Sequence, residues 1–428
     1  MSSSKYKRVK IGGQRLHPET QMMSYGYDPF MSEGSVKPPV FLTSTFAFRT
    51  AEDGADFFDQ LAGRTASTGA AGLIYSRFNH PNLEILENRL ALLDGAEACA
   101  VHASGMAAIS SIFLTFLRPG DVIVQSSPLY GGTETLIRKL LPEFGIHSAD
   151  FHNGLSAASV QQAVERGAAL GPVKMIYVET PANPTNSMVD FAVIADAADK
   201  LEREQGLRPL TVCDNTMLGP VFQKPIAHGF DMAVYSLTKY IGGHSDLVAG
   251  GIVGRADLLS KIRTSRGAYG TQLDPHSSWM IGRSLETLVL RMERAAQSGS
   301  AVAAWLSENP YADVDVMHPE FITDEAYQIT YAAQATGPGS TFSFVLPDGR
   351  KRAFRLINAL KLFKSAVSLG GTESLVCHPT STTHSGVQED IRDAIGLSEG
   401  LIRISVGLEH PDDLIADLNQ AFKTAFAK

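Results

Sequence analysis

The stretch Ser236-Leu237-Thr238-Lys239-Tyr240, followed by Gly242-Gly243-His244, puts a lysine beside two hydroxyls at the tip of an apolar run. A lysine emerging from such a run is poorly solvated, which lowers its pKa and favours the neutral, nucleophilic amine. Asp214 lies 25 positions earlier, at the end of the apolar run Leu210–Cys213. A carboxylate there needs a cationic partner or several donors, and a helix cap or a local salt bridge would also satisfy it. Upstream again, Ala103-Ser104-Gly105-Met106-Ala107 turns from Ala98–His102 into the helical pattern Ala108–Leu117. A small-residue turn at a helix N-terminus presents backbone N–H groups to an anion, although many strand-to-helix turns look alike.

Taken together, the three features make one chemical device. A phosphate would sit on the Gly105 helix end and the Ser236 and Thr238 hydroxyls, and Lys239 would hold an aldehyde as a Schiff base. Asp214 would keep a pyridine nitrogen protonated, turning the ring into an electron sink. The cofactor that combines these groups is pyridoxal 5′-phosphate. No Walker motif and no glycine-rich dinucleotide fingerprint competes with it.

These residues need a scaffold that brings strand ends together. Short apolar runs at Ala98–His102, Asp121–Gln125, Met175–Glu179, Leu210–Asp214, Met232–Ser236 and Val248–Val253 suit strands buried on both faces. They alternate with helical patterns such as Ala192–Gln205, which predicts a mostly parallel sheet covered by helices, with ligands at the carboxyl ends of its strands. Leu83, Leu86, Leu90 and Leu93 recur at helical spacing and stop at Asp94-Gly95. A long helical pattern around Ser284–Trp305 precedes strand-like runs (Thr341–Leu346, Ile402–Val406) and amphipathic helices (Arg352–Phe363, Asp412–Phe426). That mixture predicts a smaller C-terminal α+β domain. The first 70 or so residues read as an extended arm, with Pro38-Pro39 and a loop of small residues at Ala62–Gly72 that is either an insertion or a lid. There is no internal repeat.

Composition narrows the field. The 428 residues suit two or three domains. With 44% hydrophobic and 19% charged residues the chain can build a large core, and a net charge of −8 argues against nucleic acid or an anionic membrane as main partner. The longest apolar stretch, near Ala107–Leu117, is too short to span a bilayer, and the basic start Met1–Lys10 lacks the apolar segment of a secretory signal. Cys99, Cys213 and Cys377 form no metal pair and no disulfide framework, so a reducing, cytoplasmic setting is expected and no metal is called for.

The stretch from Tyr235 through Ser245-Asp246 closely resembles the lysine signature of the fold-type I enzymes of cysteine and methionine metabolism. These are the relatives of cystathionine γ-synthase, cystathionine γ-lyase and methionine γ-lyase, and further similarities run from Tyr75 to Glu409. The resemblance implies an aspartate aminotransferase-like α/β fold: an arm and loop (1–79) touching a neighbouring subunit, a large cofactor domain (80–282) and a small C-terminal domain (283–428). It implies that Lys239 carries the cofactor and moves protons, and that Ser236, Thr238 and the backbone of Gly105 and Met106 hold its phosphate. Tyr75 and Arg77 would reach the neighbouring subunit's phosphate, which means at least a dimer and usually a tetramer of paired dimers. Tyr130 would stack on the ring and protonate the γ-leaving group. Glu179 and Asn183 match a strand-end motif whose asparagine bonds the ring hydroxyl. Arg403 would grip the substrate α-carboxylate with its planar fork, with Ser368 as a second contact.

Departures from the pattern bear on the substrate. Val367 stands where the cystathionine enzymes usually carry glutamate, which points to a methionine γ-lyase-like elimination from a four-carbon L-amino acid. Gly132, however, replaces a cysteine typical of methionine γ-lyases, Met217 replaces a common aromatic, and His80 breaks the usual Asn-Pro-Thr. A less usual γ-leaving group, such as the oxyguanidine of canavanine, fits this divergence chemically. The alternatives are a γ-replacement transferase acting on acyl-homoserine and a non-catalytic binding protein of the same fold.

Overall fold

The computed structural model describes residues 6–61, 63–65, 72–386, 392 and 395–427. Residues 62 and 66–71 of the loop expected at Ala62–Gly72 lie outside them. The central sheet has seven strands: β1 (Ala98–His102), β2 (Val122–Ser126), β3 (His147–Phe151), β4 (Val173–Glu179), β5 (Leu210–Asp214), β6 (Met232–Ser236) and β7 (Gly250–Gly254). Their order is β1-β7-β6-β5-β4-β2-β3. The pairs from β6 to β3 are parallel, and β7 runs antiparallel to both β6 and β1. β1, β2, β4, β5 and β6 therefore all end on the same side.

Alternation within the strands explains the double cover. Ile123, Met175, Val212 and Val234 pack with Ile109 and Phe113 of α2 (Gly105–Phe116) and Leu259 of α5 (Ala256–Tyr269). Val122, Val124, Ile176, Val178 and Cys213 turn the other way, onto α3 (Ala157–Ala168) and α4 (Phe191–Gln205). Strands buried on both faces carry no polar alternation, as a parallel sheet between helices requires. α1 (Pro81–Asp94), expected from its leucine spacing, ends on Gly95 at φ 75°, the left-handed stop that glycine makes cheaply.

The C-terminal sheet adds β8 (Asp315–Met317), β9 (Thr341–Val345), β10 (Lys364–Ser365), β11 (Leu375–Cys377) and β12 (Leu401–Ser405), in the order β8-β9-β12-β11-β10. Phe342, Phe344, Ile402 and Ile404 pack against Leu356 of α8 (Gly349–Ala359) and Leu414, Leu418 and Phe422 of α9 (Pro411–Ala425). This is the smaller α+β unit read from the sequence.

Three expectations shift. The helix expected over Ser284–Trp305 is instead α6 (Pro275–Ser284), a 3-10 turn at Leu285–Thr287 and α7 (Leu288–Ser307), so residues 282 and 283 fall inside a helix. The last central strand starts at Gly250, which leaves Val248 61% exposed. β3 escaped the sequence reading because its edge position exposes His147 and half-buries Ser148 and Asp150, diluting its apolar signal. The arm holds a two-stranded ribbon (Lys10–Ile11 with Gln14–Arg15) and a helix at Ala51–Leu61.

β7 begins with glycine for a steric reason. A Cβ on Gly250 would lie 2.2 Å from the Ser104 carbonyl oxygen and 2.8 Å from the Gly105 Cα. The close approach presses β7 against the turn that opens α2. Gly250→Ala should therefore cost about 1–3 kcal/mol of stability in urea denaturation and weaken phosphate retention at that turn. Unchanged values would mean that the turn yields freely.

Candidate active site

The chemistry converges where the strands end. A cleft of about 270 Å³ lies across the carboxyl ends of β4, β5 and β6 and is closed from the other side by the C-terminal sheet. Gly105 and Met106 line it at the start of α2, Tyr130 lies beyond β2, and Glu179 and Asn183 lie beyond β4. Asp214, Ser236, Thr238 and Lys239 complete the floor, while Val367, Ser368 and Arg403 form the opposite wall.

Asp214 ends β5 almost wholly buried at 7% exposure. Its Oδ1 accepts from the Thr216 hydroxyl at 2.7 Å and the Thr216 N–H at 3.1 Å, and the Tyr177 hydroxyl donates to Oδ2 at 3.4 Å. No lysine or arginine among the described residues pairs with it, and burial pushes its carboxyl above the usual range. Glu179 is also raised, first by burial and then by the neighbouring Asp214. A cationic N–H placed on Asp214 would relieve both groups. The carboxyl thus has the environment that a pyridinium requires.

On the other wall, the Lys239 Nζ donates to the Ser368 hydroxyl at 2.8 Å. Burial, helped by the Arg403 charge, lowers this amine from 10.5 to about 8. Arg403 donates through Nη1 to Asn183 Oδ1 at 2.9 Å and through Nη2 to the Ser368 carbonyl at 2.7 Å. Its buried Nε has no partner among the described residues, which leaves a donor for an incoming anion. Ser368 makes these contacts from a left-handed backbone, φ 95°. A non-glycine residue holds this conformation at a cost, and such outliers gather at functional sites.

The anion end is built from α2. Ser104 caps the helix, its Oγ accepting from Ala107 N–H at 3.0 Å. The first-turn N–H groups of Gly105 and Met106 have no acceptor among the described residues, so they suit a phosphate. Ser236 faces this turn: a Cβ on Gly105 would stand 3.2 Å from its Oγ. Thr238 also lines the cleft, but its hydroxyl donates to the Ala249 carbonyl at 3.2 Å and accepts from the Ala249 N–H at 3.0 Å.

Two expected residues stay outside. Tyr75 and Arg77 do not line this chain's cleft. Tyr75 is 40% exposed, and the Arg77 guanidinium lies 4.5 Å over the Phe78 ring and donates to the Gly267 carbonyl. His80 is a cap for α1: Nδ1 accepts from Leu83 N–H at 3.2 Å and Nε2 donates to the Leu273 carbonyl at 3.0 Å. Gly132 is a packing glycine, since a Cβ there would lie 2.7 Å from the Tyr130 ring. The sequence reading overlooked Thr216, which links Asp214 to the Ser236 N–H at 2.9 Å. The Asp-x-Thr spacing, which favours a local side-chain turn, was the signal for it. Thr383, also on the wall, carried no signal.

Selective labelling of the cofactor-free chain should find Lys239 half-reactive toward an amine reagent near pH 8, because its neutral form appears above its lowered pKa of about 8. Reactivity still climbing toward the ordinary value of 10.5 would refute the desolvated site.

Known proteins resemble the chain along nearly its whole length. The chain is 40% identical over 407 residues to an L-methionine γ-lyase of Pseudomonas deceptionensis, covering 94% of this chain and 96% of that protein. It is 34% identical to human cystathionine γ-lyase, covering 96% and 94%. A crystal structure of cystathionine γ-synthase from Xanthomonas oryzae pv. oryzae, in complex with aminoacrylate and cysteine, superposes with a TM-score of 0.85 at 30% identity, covering 96% of this chain and 99% of that one. The model of the Cys/Met metabolism PLP-dependent enzymes matches residues 19–423. The cradle, the buried carboxyl and the lysine fit pyridoxal phosphate, and the chain belongs to this family of PLP-dependent enzymes.

Proposed function

We propose that the protein is a γ-lyase, releasing the γ-substituent of a four-carbon L-amino acid in the manner of methionine γ-lyase. The observation that carries the reading is the outer wall of the cleft. Val367, 54% exposed at its rim, offers an apolar surface where a distal ammonium would need a carboxylate. The methionine γ-lyases among its relatives, 40% identical in two Pseudomonas species, support the same choice.

In this reading Gly105, Met106 and Ser236 would hold the cofactor phosphate, joined by Thr238 when its hydroxyl turns from the Ala249 carbonyl, while Asp214 would bond the ring nitrogen and Asn183 the ring hydroxyl. The Asn183 oxygen is taken by Arg403, so its amide N–H₂ is the group left to donate. Pyridoxal phosphate supplies an electron sink that lets protons leave Cα and Cβ of the bound amino acid. Arg403 fixes the α-carboxylate, and its free Nε adds a donor. Lys239, a neutral amine above about pH 8, would take the Cα proton, hand it on to the carbon that was the cofactor aldehyde, and, neutral again, take one from Cβ. Tyr130 gives its phenolic proton to the γ-heteroatom as the Cγ–heteroatom bond breaks. Addition of water and loss of ammonia then leave a 2-oxo acid.

The site also favours an oligomer. Its own cations are Lys239 and Arg403, both on the side of the amine and carboxylate, and the phosphate end gains Arg77 and Tyr75 if a second copy supplies them. Phe30, Met31, Val36 and Leu42 of the arm are each at least 77% exposed, an apolar surface that a second copy would cover. A dimer of dimers follows the resemblance. The 1–79, 80–282 and 283–428 division assigns these roles to arm, cofactor domain and substrate domain. Three buried free thiols suit a reducing, cytoplasmic setting, and no helix among the described residues is long and apolar enough to cross a membrane.

The test is a panel of methionine, homocysteine, cystathionine, O-acetyl- and O-succinyl-homoserine and canavanine, each with and without thiol. Release of 2-oxo acid or homoserine without thiol is expected, and a strict thiol requirement would make the protein a γ-replacement transferase. Tyr130→Phe should lower kcat about 10²–10⁴-fold with cofactor retained. Lys239→Ala should abolish the visible band of lysine-bound cofactor, and a persisting band would remove Lys239 from its role.

A further inference from the structure

Tyr130 is 43% exposed, yet a proton donor must be held within about 3 Å of the atom it serves. Its backbone is fixed. The Glu179 carboxyl, 4% exposed at the end of β4, accepts from the Tyr130 N–H through Oε2 at 2.6 Å. Its Oε1 accepts from the Asn183 N–H at 3.0 Å. Glu179's own N–H donates to the Ser126 hydroxyl at the end of β2, 3.0 Å away. One side chain thus joins the loop after β2 to the loop after β4, and Asn183 passes the constraint on to Arg403. The approach is tight on the far side too, where a Cβ on Gly131 would meet the Thr383 carbonyl at 2.5 Å.

We propose that Glu179 is a positioning residue for proton delivery: its carboxyl clamps the Tyr130 main chain against Asn183, so that the phenol is aimed at the γ-heteroatom. This rests on the γ-elimination reading above. Burying a carboxyl beside Asp214 is unfavourable, and two backbone donors converging on it give that burial a purpose that simple packing would not. Glutamine is nearly isosteric, but its amide can accept through one atom only and opposes the second N–H with a donor.

Two readouts of Glu179→Gln test the clamp. In the holoenzyme, amide hydrogen exchange over residues 129–135 should accelerate tenfold or more. Unchanged exchange there overturns the proposal. In kinetics, kcat for methionine, whose thiolate leaving group is basic, should fall at least tenfold. O-acetyl-homoserine, whose acetate needs no proton, should lose little. Equal losses on both substrates would indicate general damage and overturn the link to Tyr130. In a Tyr130→Phe background the substitution should add little further loss, since both act on one proton, and fully additive losses would also overturn it. Glu179→Ala serves as second variant if glutamine disturbs folding, and cofactor absorbance checks that either is intact. If wild-type enzyme eliminates no γ-substituent from either amino acid, the functional reading fails and the exchange experiment alone decides the clamp.

Discussion

Desolvation of charge at the ends of the parallel strands is the constraint on which the rest depends. Two carboxyls, Glu179 and Asp214, and two cations, Lys239 and Arg403, meet in one cleft. None forms an ordinary ion pair with another. Each is held by neutral donors or acceptors instead: Thr216 and Tyr177 at Asp214, backbone N–H groups at Glu179, Ser368 at Lys239, Asn183 and the Ser368 carbonyl at Arg403. Charges kept apart in this way stay available to a ligand that brings its own. A pyridinium, a carboxylate and a phosphate would complete what the protein leaves open.

That arrangement needs both sheets. Lys239 leaves β6, but the loop that carries it is fastened to the C-terminal half of the chain. The Tyr240 hydroxyl bonds Thr341 at 2.8 Å and Ser340 at 3.1 Å, and Arg291 of α7 donates to the carbonyls of Tyr240 and Ile241 at 2.8 and 3.3 Å. The Ser405 hydroxyl in turn accepts from the Gly370 N–H, steadying the loop where Ser368 sits in its left-handed backbone. A change at the junction of the two sheets therefore alters the distance between amine and guanidinium.

Much of this was legible in the sequence because it depends on local pattern. Apolar runs buried on both faces announce themselves, so β1, β5 and β6 have the bounds read from sequence, and the residues that follow them are the ones in the cleft. Lys239, Asp214 and the Gly105 turn needed no tertiary information. β3 was missed because an edge strand exposes polar residues. The bend between α6 and α7 was missed because apolar spacing continues through it, with Leu285 and Leu288 both buried. The second bond of the His80 ring goes to Leu273, 193 positions away. The wall residue Thr383 and the anchoring of Tyr130 by Glu179 likewise arise only when distant segments meet.

The central claim is that Lys239 moves protons at both Cα and Cβ, the step that separates γ-chemistry from simpler reactions of amino acids. Proton NMR of the holoenzyme with L-norvaline in D₂O tests it most directly, because this amino acid has no γ-leaving group and can only exchange. Loss of both the Cα and the Cβ hydrogen signals is the expected result. Exchange confined to Cα, with Cβ untouched, would contradict the account.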